Sequence, residues 1–229
     1  LPAHSDHAFY RSEESAAAND ADFKVSLNGV WKFSYAKNIA SAIEGFEKAD
    51  YDCKTWDDIR VPAHIQMEGY DTPQYANTQY PWDGRQAVLP GEIPEEFNPV
   101  GSYVKYFEVP KNMEEGPVFI SFQGVESGMA LWLNGHYVGY SEDSFTPSEF
   151  DLTPYLVKGI NKLAVQVYKW TAGSWCEDQD FFRFSGIYRE VYLYTIPKVH
   201  ICDLKLKTIL DQDYKDAVLQ LDLETNADG

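Results

Sequence analysis

The chain has 229 residues, a formal charge of −17, 15% aromatic residues, and 44% hydrophobic against 24% charged side chains. That balance excludes a disordered chain, and the acidity disfavours nucleic acid and anionic membrane surfaces as partners. No run approaches the ~18 apolar residues of a membrane helix.

Residues 1–23 show no period and read as an arm draped over something larger. Strand patterns begin at Lys24, where Leu27, Val30, Trp31 and Phe33 surround an Asn28–Gly29 turn pair. Ile39, Ile43 and Phe46 stand at helical spacing and predict a short helix over 39–48. Residues 56–63 form an extended piece closed by Pro62. Residues 64–99 are rich in Tyr, Pro, Asn and Gly and lack a period; loops of that length in a compact domain usually carry function or an interface.

Strand signals then return densely. SYVKYFEV, PVFISFQGV, MALWLNG, HYVGYS, KLAVQVYKW and EVYLYTI are short and rich in β-branched and aromatic residues. Asn134–Gly135 predicts a type I′ hairpin turn. No helix pattern separates these runs, which excludes a parallel βαβ sheet and leaves an all-β, antiparallel sandwich or jelly roll over 24–196. Pro197 marks a boundary. Beyond it Leu204 and Leu206, then Leu219, Leu221 and Leu223, alternate around Asp211–Asp213, a hairpin that cannot stand alone and reads as the opening of a second sandwich.

Cys53, Cys176 and Cys202 are odd in number and lack CxxC spacing, so neither a disulfide framework nor a zinc motif is indicated. Reduced thiols and the lack of an opening signal peptide fit a cytoplasmic protein, and an opening at Leu1 without Met suggests a cut or processed chain. His4, His7, His64, His136 and His200 are scattered, and each is expected in a surface or turn role. Phosphate-loop, HExxH and Gly-x-Ser-x-Gly motifs are absent.

The densest chemistry is GSWCEDQDFFRFSGIYR over 173–189. Buried charge is costly unless paired, so this acidic cluster against aromatics is either an ion-paired corner, with Arg183 and Arg189 as partners, or the wall of a ligand site. Glycoside hydrolysis needs two spaced carboxylates. Alternation along an extended chain lets only Asp178 and Asp180 share a face, closer together than that chemistry requires.

LNGVWKFSY, VPAHIQMEGYDTPQYANTQYPW, NPVGSYVKYFEV, FQGVESGMALWLNGHYVGYSEDSFTPSEFDLTPYL and GSWCEDQDFFRFSGIYREVYL follow in order. Together they resemble the N-terminal region of bacterial LacZ-type β-galactosidases in glycoside hydrolase family 2. The resemblance implies a galactose-binding-like jelly roll, followed from Pro197 by the start of an immunoglobulin-like domain. It implies a retaining β-galactosidase parent, homo-oligomeric, whose catalytic barrel and both catalytic glutamates lie outside this chain, so no catalytic residue is assigned here and the isolated chain should be inactive. It places Asn77 and Asp180 at the sugar, with Asp180 also at a sodium ion; Thr78 stands where some relatives carry Val. The family's N-terminal magnesium site falls on Glu142 and Ala172, a departure that puts this ion in doubt. The alternatives are an autonomous carbohydrate-binding module, or the same region of a β-glucuronidase or β-mannosidase.

Overall fold

The computed structural model describes residues 1, 4, 9–19, 23–113, 116–177 and 180–226. In chain order the strands are β1 (Lys24–Ser26), β2 (Gly29–Ala36), β3 (Asp57–Val61), β4 (Gln74–Ala76), β5 (Val100–Glu108), β6 (Val118–Phe122), β7 (Val125–Glu126) and β8 (Gly128–Leu133). They continue with β9 (His136–Ser141), β10 (Ser148–Asp151), β11 (Ile160–Tyr168), β12 (Phe181–Arg183), β13 (Gly186–Ile187), β14 (Val191–Thr195), β15 (Ile201–Leu210) and β16 (Ala217–Thr225). One sheet has the order β1-β14-β6-β10 and the other β3-β2-β5-β11-β8-β9. Every pairing is antiparallel, as the sequence predicts for a jelly roll.

The two sheets close over one apolar core. Trp31 and Phe33 from β2, Tyr103 from β5, Leu131 and Leu133 from β8, and Leu163 and Val165 from β11 face Ile120, Phe122 and Leu193 of the opposing sheet. On β14 the inward Val191, Leu193 and Thr195 alternate with the half-exposed Tyr192 and Tyr194, the period of a strand with one buried face. β11 lacks that alternation because its sheet is covered on both sides. Val104 and Ala164 point away from the main core into a second cluster with Phe46 and Cys53.

That second layer corrects one expectation. The short helix predicted over 39–48 is a single 3₁₀ turn, Ile39–Ser41. The carbonyls of Phe46, Lys48 and Tyr51 converge instead on the ammonium of Lys162, at 3.0, 2.5 and 3.0 Å. A buried lysine without a carboxylate takes its hydrogen bonds from backbone oxygens, and oxygens turned toward one point are not turned along a helix axis.

Asn28–Gly29 also acts otherwise than as a hairpin turn, since β1 and β2 lie in different sheets and the pair carries the chain between them. Asn134 and Gly135, both left-handed, do form the predicted two-residue hairpin, with Leu133 opposite His136. In the arm, Ser12 caps a five-residue helix, Glu13–Ala17, and His4 reaches Glu149 on β10. β15 and β16 pair only with each other, and their leucines and isoleucines are largely exposed on both faces. No helix among the described residues is long and apolar enough to cross a membrane.

Candidate functional site

The long irregular stretch 64–99 is held by side chains. Tyr80 stacks on Trp82 with ring centroids 5.3 Å apart, and Trp175 packs against both at 4.4 and 4.9 Å. The indole of Trp175 donates to the Glu92 carbonyl at 2.6 Å, and the Gln74 amide donates to the Pro81 carbonyl at 2.7 Å. These rings pack on one another, with Trp82 buried and Tyr80 and Trp175 half-buried.

At its root the loop is anchored by charge. Lys169 and Asp71 form an ion pair with side chains 1% and 3% exposed. The Gln66 amide donates to Asp71 Oδ2 and to Ser185 Oγ, each at 2.9 Å, while the Ser185 N–H donates to Gln66 Oε1 at 3.0 Å. Burial pulls the Lys169 ammonium below its ordinary range, and Asp71 opposes that pull. One network thus ties the root of the loop to the segment just after β12.

Between these anchors β4 pairs with β12, with Ala76 opposite Phe181, Tyr75 opposite Phe182 and Gln74 opposite Arg183. Extending the register by one residue sets Asn77 opposite Asp180, so the ladder brings together the two sequence-predicted site residues. Both are exposed. The Tyr75 phenol donates to Asp180 Oδ1. The Asp180 hydrogen bond holds the Tyr75 phenol above its ordinary range. A carboxylate, an amide and a phenol on one open corner offer hard oxygens suited to an alkali ion and to sugar hydroxyls.

Glu177 and the two arginines of the motif serve the fold. Glu177 accepts from the Ser144 N–H and hydroxyl at 3.2 and 2.7 Å. Arg183 donates to the Glu177 carbonyl at 2.6 Å and lies over Phe181; Arg189 donates to the Phe145 carbonyl at 2.8 Å and lies over Tyr188. Asp178, predicted to share a face with Asp180, lies outside the described residues.

The corner that would hold magnesium does not fit that ion. Glu142 accepts from the Tyr140 hydroxyl at 2.8 Å and from the Gly173 N–H at 2.7 Å, so both its oxygens are engaged, and Ala172 brings no donor. No group of three His, Cys, Asp or Glu gathers among the described residues. The Glu142–Gly173 bond itself joins the two segments.

Sequence reasoning missed His64 and Glu126. His64 is half-buried, its ring stacked 5.0 Å from that of Tyr188 and 4.6 Å from that of Phe184, where a surface or turn role was expected. Glu126 is 8% exposed, and its carboxyl is pushed up to about 7, chiefly by burial, against the opposing Phe184 N–H. Below the ordinary value near 4.5 both folded and unfolded chains are protonated there. Between 4.5 and 7 the unfolded chain loses its proton first, so this group's contribution to stability falls as pH rises and levels off above 7. The expected loss is on the order of 3 kcal/mol, and Glu126→Gln should remove it. Urea midpoints from pH 5 to 8 for both proteins check this, and parallel curves would refute it.

The fold is that of an antiparallel jelly-roll module with a polar corner carried on a short two-stranded ladder of its own. A family model described as glycosyl hydrolases family 2, sugar binding domain, matches residues 24–197, and the chain belongs to that family. It is 57% identical over 225 residues to a beta-galactosidase of Halalkalibacterium halodurans, covering 98% of this chain and 22% of that protein. It is 51% identical over 225 residues to a beta-galactosidase of Clostridium acetobutylicum, covering 98% and 25%. The chain therefore spans roughly a quarter of the length of these curated relatives. A solved beta-glycosidase from Bacteroides vulgatus matches with a TM-score of 0.64 at 25% identity, over 88% of this chain and 24% of that one. A beta-glucuronidase from an uncultured Clostridium sp. matches with a TM-score of 0.64 at 23% identity, over 97% and 36%, a likeness of fold.

Proposed function

We propose that this chain is the N-terminal, non-catalytic portion of a retaining β-galactosidase that acts on terminal β-D-galactosides. In that reading Asn77 and Asp180 complete the sugar site, Asp180 also binds a sodium ion, and the module supports a homo-oligomer. The observation that carries it is the β4–β12 ladder, which sets these two residues opposite each other on one exposed corner. The relatives named beta-galactosidase, each far longer than this chain, support the choice of substrate class. One carboxylate and one amide are only part of a binding shell, so the remaining walls belong to other domains of the parent. Sodium would supply positive charge to orient a sugar hydroxyl, and Asp180 would hold it.

Asp180→Asn in the full-length protein tests this. The substitution keeps the shape of an exposed side chain, so the melting temperature should stay unchanged. The catalytic efficiency toward nitrophenyl β-D-galactoside should fall about ten- to a hundredfold, as for one lost charge-assisted hydrogen bond, and the response to sodium should weaken. Unchanged kinetics with an unchanged sodium response would remove Asp180 from the site.

A further inference from the structure

Tyr75 is 55% exposed, and its ring packs 5.6 Å from that of Phe182, itself 53% exposed, across the β4–β12 ladder. Alternation along β4 puts Tyr75 on the same face as Asn77, and alternation along β12 puts Phe182 on the same face as Asp180. An exposed phenol finds water freely, so the fold does not require it to bond protein groups. Here its hydroxyl donates to Asp180 Oδ1. The phenol therefore holds one of the two residues assigned to the ligand and shares a strand face with the other.

We infer that Tyr75 is a positioning residue that fixes the Asp180 carboxylate beside Asn77 for the sodium ion and sugar hydroxyl. This rests on the function proposed above. The phenol takes one carboxylate oxygen, and the other would be the one offered to a cation. An exposed hydrogen bond of this kind adds little to stability, whereas groups that orient a ligand-binding carboxylate commonly change affinity by about ten- to a hundredfold.

Tyr75→Phe removes only the hydroxyl and leaves the ring on Phe182. In the full-length protein it should raise KM and the half-saturating sodium concentration about tenfold, with kcat changed less than about twofold and the melting temperature unchanged. Line broadening of the sodium resonance by the protein should weaken in parallel, an observable independent of turnover. In an Asp180→Asn background Tyr75→Phe should add nothing. If Asp180→Asn alters the sodium response and Tyr75→Phe does not, the Tyr75 role is wrong and the proposed function stands. If neither alters sodium response or kinetics, the proposed function falls and Tyr75 with it. A Tyr75→Phe protein that loses kcat and melting temperature together at constant KM would make the phenol structural and overturn the inference.

Discussion

Asp71→Asn should destabilise the chain by about 3–5 kcal/mol, because it leaves the Lys169 ammonium buried without its counter-charge. Lys169 is 1% exposed, and its ammonium lies 5.2 Å from the centre of the Trp170 ring, a weak substitute for a carboxylate. Asparagine is the informative replacement. Asp71 has φ of +56°, a left-handed conformation that Asn tolerates and Ala does not, so backbone strain stays constant and only the charge changes. The Gln66 amide, now facing an amide, loses part of its bond as well. Lys169→Met added to Asp71→Asn should recover much of the loss, since exchanging a whole buried pair for apolar volume is often neutral. Urea denaturation of the three proteins measures this. A loss below about 1 kcal/mol for Asp71→Asn would mean that water reaches the pair.

The strands were legible because their signals are local. β5, β6, β8, β9, β11 and β14 each carry a run of β-branched and aromatic residues, and Asn134–Gly135 dictates its own turn. The helix expected over 39–48 fails because a residue more than a hundred positions away, Lys162, claims the carbonyls that a helix would use. Apolar spacing reports which side chains want burial and says nothing of where the backbone oxygens turn. The three-residue strands β4 and β12 are too short for a period, so their pairing is invisible in sequence. Asn77 and Asp180 were assigned through motif resemblance, and the register explains why two residues so far apart along the chain share one corner. Tyr75 had a local signal, two residues before Asn77 and hence on its face, but only the ladder gives its hydroxyl a partner. Lys169 and Asp71 stand far apart along the chain with no local signal of burial, and the fold buries them together.

Gly186 shows the other side of that limit, since the motif marks it and only the packing explains it. Its φ is +120°, outside the range of an L side chain, and an added Cβ would stand 2.9 Å from the Ala63 carbonyl oxygen, 3.1 Å from the Tyr103 hydroxyl and 3.2 Å from Ile65 Cγ2. The carbonyl cannot swing away. The chain around Ala63 is bound on both sides of the glycine, with the Ala63 N–H donating to the Ile187 carbonyl and the Ile65 N–H to the Ser185 carbonyl, each at 2.9 Å. Gly186→Ala must therefore strain its own backbone and force the two segments apart, costs of about 1–3 kcal/mol each. We expect a total loss of about 3–5 kcal/mol in urea denaturation. Gly159 separates the two terms: its φ is +87° and nothing lies within 4 Å of an added Cβ. Gly159→Ala should then show only the conformational part, about 1 kcal/mol. If the two substitutions cost the same, the close approach of residues 63–65 to 185–187 is not what holds this corner. The anchoring of the loop would then rest on the Lys169–Asp71 network alone.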